Sequence, residues 1–321
     1  MFLCPSMPAY VEETRRLADE MAPMWVEASR RVMGRAMGYV AFFWLGIGDR
    51  KRAEEMVREY AKLIHPANEP RIAASLLMSD ACFNIIDGRL GEAAEAARGI
   101  ARISQEAHWP GAAVLRGFPG TRLVAYLGQA AGALEETEQW EKTTGVSAGQ
   151  PYKAYLQAHA GRQAEARAIL DNVVGSYIAS SDEIKDLFST EFLYMEAAVQ
   201  VRNTRAAELL LNHLADTPFK TTGFWYPTCI VRHLGAAAAL LGRHDEARKY
   251  YDEAIKVCTE MRFRPELALS RLQLAELLLE HYPQEKSEAV AHLDSAIKEF
   301  RDMKMQPSLE RALRHKEILK V

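Results

Sequence analysis

Strand signals, cysteine, long hydrophobic runs and an excess of one charge are all scarce in this chain, and each shortage closes off a class of protein. No alternating β-branched run is bounded by Asn-Gly or Asp-Gly, which argues against sandwiches and barrels. Four cysteines (Cys4, Cys82, Cys229 and Cys258) stand far apart without a CxxC pair, so they read as free thiols in a reducing compartment. The longest apolar run, Ile230 to Leu241, is interrupted by Arg232 and His233 and is too short to span a bilayer. The opening MFLCPSMPAY has no cationic region before its apolar residues, so the cytoplasm is the expected location. A net charge of −3 and a pI near 6.3 give no reason to expect nucleic acid as a partner.

Catalytic motifs are missing as well. GxSxG, GxxxxGK[ST], HExxH and DxDxDG do not occur. The nine histidines avoid metal-ligand spacing, and His281 and His292 lack the further donors that a tetrahedral site needs. The expectation is a chain without enzymatic activity, cofactor or metal.

What the sequence does contain is a ladder. Ala53, Ala93, Ala133, Ala166, Ala207, Ala247 and Ala289 follow one another at steps of 40, 40, 33, 41, 40 and 42 residues. Five of them close a Gly-x4-Ala motif, in Gly48–Ala53, Gly88–Ala93, Gly128–Ala133, Gly161–Ala166 and Gly242–Ala247. Self-similarity at this period marks a solenoid, in which each unit buries its apolar face against the next. Short polar turns precede the alanines, and prolines at 66, 70, 110, 151, 218, 265 and 307 punctuate the longer breaks.

These signals predict a helix near 8–20 and hairpins at 23–45/49–64, 71–87/90–106, 112–127/129–142, 151–160/162–179, 183–202/204–215, 223–241/243–261 and 265–281/285–303. A last helix is expected at 307–320. Residues 1–22 and 307–321 would cap one array running from 23 to 306. First helices such as 226–242 are apolar nearly all round, whereas second helices such as 243–261 are amphipathic. The first should therefore line an inner wall and the second its outer back.

The stretch 234–261, LGAAAALLGRHDEARKYYDEAIKVCTEM, resembles a tetratricopeptide repeat (TPR). Leu234, Gly235, Gly242, Ala247, Tyr251 and Ala254 fall on that family's motif positions. Ala289, Leu293 and Ala296 carry a second such unit. The period exceeds the family's 34 residues. Units of about 40 resemble the sensor regions of bacterial LuxR-type ATP-binding regulators and multidomain nucleotide cyclases. The fold this implies is all-α: a right-handed superhelical solenoid of seven TPR-like hairpins with capping helices. The implied function is a non-catalytic scaffold that receives a protein or peptide segment or a small effector, as a regulatory part of a signalling protein. A structural or oligomerising scaffold, including a homo-oligomer, is the competing reading. No membrane contact is expected.

Polar and aromatic residues on the apolar first helices are the candidate groove residues: Arg35, Tyr39, Arg122, Tyr126, Tyr155, Phe192, Glu196, Trp225 and Arg232. Phe42, Cys82, Asn84 and Cys229 share that wall in the same register. Arg232 and His233 stand in a helix with no other charge. A charge there must meet water, a ligand or an internal partner such as Glu196 or Glu191. A rigid guanidinium fork would suit a carboxylate, so an acidic or carboxyl-terminal peptide is the preferred guest. Trp225 reads more readily as packing between repeats than as a groove residue. The basic cluster at 30, 31, 35 and 50–52 reads as a solvated face, and His244 as a surface residue.

Overall fold

The computed structural model describes residues 11–21, 30–63, 70–106, 120–179, 188–224 and 226–318. Among these residues every regular element is a helix, and none is long and apolar enough to cross a membrane. The chain divides into two compact units. Unit 1 comprises Met1–Leu123, Thr217–Thr228 and Glu260–Phe263, and unit 2 comprises Val124–Asp216, Cys229–Thr259 and Arg264–Val321.

Unit 1 holds α1 (Val11–Met21), α2 (Arg30–Gly46), α3 (Arg50–Leu63), α4 (Pro70–Ile86) and α5 (Leu90–Glu106). Helical residues 120–126 form α6, whose last turn belongs to unit 2. Unit 2 continues with α7 (Ala130–Thr144), α8 (Gln150–His159), α9 (Gln163–Ala179), α10 (Phe188–Gln200) and α11 (Thr204–Leu214). After it come α12 (Ile230–Leu240), α13 (His244–Glu260), α14 (Arg264–His281), α15 (Lys286–Asp302) and α16 (Gln306–Ile318).

One turn chemistry joins the helices of successive hairpins. At the α12–α13 turn, Gly242 adopts φ 73°, where a side chain would be strained. The next residue, Arg243, donates its N–H to Ala238 O at 2.9 Å, closing α12 as a Schellman motif does. The carbonyl of Arg243 then accepts the N–H of Ala247 at 2.9 Å, opening α13. One residue thus caps two helices, and the ladder alanine is the first whose amide enters the new one. The closing bond recurs at 2.8 Å from Asp49, Arg89, Gln129, Arg162 and Asn203. At the α10–α11 turn the glycine is replaced by Arg202, which still adopts φ 55°. There the Asn203 side chain adds a cap by accepting the Ala206 N–H at 3.1 Å.

Small size matters just beyond the turn, because the second helix crosses the first there. Ala53, Ala93, Ala166, Ala207, Ala247 and Ala289 are all fully buried. Ala133 is only half-buried, so the third rung is the loose one. Gly235 serves the same crossing, since a Cβ there would lie 2.8 Å from the Tyr251 ring.

Within unit 1, α2 packs on α3, α4 packs on α5, and α3 touches α4. Within unit 2 the first helices α8, α10, α12 and α14 lie side by side, with α9 against α11 in a second row. α16 lies against both α14 and α15. Contacts between distant segments add to this neighbour stacking. In unit 2 the Tyr126 hydroxyl donates to Glu266 at 2.6 Å across 140 residues, and Gly128 lies close against Pro307.

The sixth hairpin departs from expectation. Its first helix starts at Ile230 rather than 223, and the preceding segment is irregular and buried. Gly223 at φ 65° and prolines at 218 and 227 keep that segment out of helix. It answers the open carbonyls at the end of α2 instead. Lys220 and Thr221 donate their N–H groups to Gly46 O at 2.8 and 3.0 Å, and Thr221 Oγ1 donates to Leu45 O at 2.8 Å. Phe219 meets Phe43 edge-on at 6.4 Å, and Phe224 meets Phe83 at 5.4 Å. Arg50, expected in a solvated cluster, is buried in the same unit. It pairs with Glu54 at 2.6 Å and Asp87 at 2.7 Å, and it donates to Met261 O at 3.0 Å.

Candidate functional site

The row of first helices in unit 2 forms a wall that carries a polar chain across α14, α12, α10 and α8. At its centre is Glu266, in the first turn of α14 and without solvent exposure. The amide end of α14 favours a carboxylate there. Arg232, one helix away on α12, donates to it from Nε to Oε2 at 2.6 Å and from Nη2 to Oε1 at 3.3 Å. Tyr126 donates to Oε1, and the Cys229 N–H donates to Oε2 at 3.0 Å. Four donors therefore saturate one buried carboxylate, and this meets the condition for retaining an ion pair in a core.

The chain continues sideways. Nη2 of Arg232 lies 3.1 Å from Nε2 of His233. Guanidinium only donates, so Nε2 is the acceptor in this contact. Nε2 of His233 also lies 3.6 Å from Oε2 of Glu196. The other oxygen of Glu196 lies 3.2 Å from Nε2 of His159, which donates to the carboxylate. The His159 ring packs on Tyr155 at 4.6 Å, and His233 lies 6.4 Å from Phe192. Glu196 and His159 keep 15% and 18% of their side chains exposed, so the wall opens to solvent on α8 and α10. On α12 it is closed.

The expected groove residues therefore separate. Tyr126, Tyr155, Phe192, Glu196 and Arg232 come together in unit 2, where only Glu196 reaches solvent appreciably. Arg232 has an internal ion-pair partner that the sequence did not single out. That partner is Glu266, with Gln273 at 3.4 Å from Nη1. Glu191 is buried 3.4 Å from Nε2 of His213. Tyr39 and Arg122 belong to unit 1: Tyr39 is 46% exposed and Arg122 is buried. Arg35 lies in α2 with its side chain outside the described residues, and Trp225 lies outside them altogether. Phe42 and Cys82 are buried beneath Gly223 of the irregular segment, with Cys82 Sγ 3.9 Å from its carbonyl.

Sequence reasoning missed Glu266, His159 and Gln273. Glu266 follows Pro265 in a helix's first turn, where an acidic residue is ordinary, so nothing in the sequence marked it as the hub. His244 is no free surface residue either, since its ring stacks on His281 at 3.5 Å.

Burial and the adjacent Cys229 thiol push the Cys258 thiol well above its ordinary value, leaving it protonated and unreactive. Among the described residues no group of three or more His, Cys, Asp or Glu side chains could hold a metal ion. At the far end of unit 2, a cavity of about 240 Å³ is lined by Leu279, Pro283, Lys286, His315 and Ile318. Compared with known proteins, the chain matches no family model and no curated protein.

Proposed function

We propose that the chain is a non-catalytic interaction module built from TPR-like hairpins, acting in the cytoplasm as a regulatory part of a bacterial signalling protein. The observation that carries this reading is the row of first helices α8, α10, α12 and α14, set by one repeated double-cap turn. Such a row presents side chains from successive units as one surface, which is how helical repeats engage protein or peptide segments. A superhelical solenoid is the architecture that this reading assumes.

In this reading Arg232 is not the groove anchor. Its guanidinium is spent on Glu266, so it organises the wall, and the accessible recognition groups are His159 and Glu196. The structural-scaffold reading gains support from the same pair, because a closed ion pair serves helix stacking. Crosslinking of the purified full chain to co-purified proteins, followed by mass spectrometry, tests between them. Partner crosslinks near residues 159 and 196 support the module. Crosslinks only between copies of the chain favour the scaffold.

A further inference from the structure

The tips of the sixth and seventh hairpins meet at two imidazoles. His244 opens α13 and His281 closes α14, and their rings stack with centres 3.5 Å apart and planes 17° from parallel. Neither residue is buried, so protons reach both rings from solvent.

Around the stack run bonds made by carboxylates. The Tyr282 hydroxyl donates to Asp245 at 2.5 Å. Arg248 grips Glu285 with two bonds of 2.5 and 2.8 Å and lies over the Tyr282 ring at 5.3 Å. That grip holds the Glu285 carboxyl below the ordinary carboxylate range, so the pair survives mild acid. Arg243, which precedes His244, pairs with Glu208 at 2.8 Å. Glu280 Oε1 stands 3.7 Å from Nε2 of His281. On α15, Glu288 lies 3.9 Å from Arg248 and 3.6 Å from His292.

Between pH 8 and 5 imidazole is the side chain that ordinarily changes charge, since carboxylates do so near pH 4 and guanidinium not at all. One proton suits the pair. His281 sits at the carboxyl end of its helix beside Glu280, where dipole and carboxylate both favour a cation. A second proton does not suit it. It would set a like charge 3.5 Å from the first, at the amino end of α13, where a cation is disfavoured. Asp245 and Glu246 soften that cost only in part, being engaged by Tyr282 and by Arg243 at 3.9 Å.

We propose that the His244–His281 stack is a proton-operated clasp between the two hairpins, closed while one ring stays neutral and open once acid charges both. This response goes beyond the interaction-module reading and does not depend on it.

Hydrogen exchange of the full chain, read by mass spectrometry as protection factors at pH 7.5 and 5.0, tests the clasp. Acid should lower protection about ten-fold in segments 243–250 and 278–286, which hold the bonded amides of Ala247, Tyr282 and Glu285. Segment 230–240 should hold within about two-fold. His244→Phe and His281→Phe each keep a flat ring but remove one charge, so either alone should reduce the change to less than about two-fold. His292 is present in all three proteins, so its own titration cancels. Melting curves at pH 7.5 verify the fold, and His244→Gln and His281→Gln serve if a phenylalanine variant proves unstable. Unchanged protection in the wild type overturns the clasp. So does a loss that persists in both variants, or one abolished by only one of them. A loss shared by segment 230–240 would report general loosening in acid and overturn it as well.

Discussion

Arg232 on α12 and Glu266 on α14 form a two-pronged ion pair with bonds of 2.6 and 3.3 Å, and they are 4% and 0% exposed. Tyr126 and the Cys229 amide complete the carboxylate's shell, so the pair ties α12, α14 and the end of α6 at one point. Removing either charge strands the other away from water.

Arg232→Ala or Glu266→Ala should therefore cost about 3–5 kcal/mol in urea unfolding, the range for breaking a buried pair. Combining Arg232→Ala with Glu266→Ala should cost less than the two single losses added together. A coupling of about 1–3 kcal/mol in the double-mutant cycle is expected. Strict additivity would mean that the two side chains do not depend on one another.

The alanine ladder should be intolerant where it is buried and lenient where it is not. Ala247→Phe should cost about 1–3 kcal/mol through overpacking against α12. The same change at the half-exposed Ala133 should stay within about 0.5 kcal/mol. Melting midpoints of the two variants, measured side by side, check the ranking.

The turn residues give a paired contrast. Gly242→Ala places a Cβ at φ 73° and should cost about 1–2 kcal/mol. Arg202 already bears that strain at φ 55° with its side chain in solvent. Arg202→Gly relieves the strain but loosens the unfolded chain, so stability should hold level or rise by up to about 1 kcal/mol. Denaturant midpoints that fall for both would mean that Arg202 has a tertiary role.

Glu276 sets a dependence on pH. Burial alone would raise its carboxyl, but His315 and Arg311 overcome burial and hold it below the ordinary 4.5. A carboxyl lowered by folding adds stability that is complete above the ordinary value and is lost as pH falls through the lower folded value. Glu276→Gln should therefore destabilise the protein at pH 7, with the difference from wild type closing as the solution is acidified below about pH 4. A gap that persists unchanged at pH 3 would show that the charge of Glu276 is not what stabilises.

Much of the fold was legible because it rests on local rules. Gly-x4-Ala marks a turn glycine and a small residue where helices meet, and the left-handed φ and shared cap that the structure adds there close within about ten consecutive residues. The apolar first helices and amphipathic second helices were readable from periodicity for the same reason. Position 202 shows the limit even there, since an arginine took the conformation reserved for glycine once the surrounding bonds required it.

The partners of the wall were settled elsewhere. Glu266, 34 residues from Arg232 and 140 from Tyr126, looks in sequence like an ordinary first-turn acid. The irregular stretch from Thr217 to Thr228 likewise gives no sign that its amides will meet the carbonyls ending α2. Repeat spacing alone determined that hairpins form and where they turn, because those bonds close within a few residues. Only the tertiary structure decided which buried charges neutralise one another and which surfaces stay open, because burial makes an unpaired charge costly and burial depends on segments far apart in the chain.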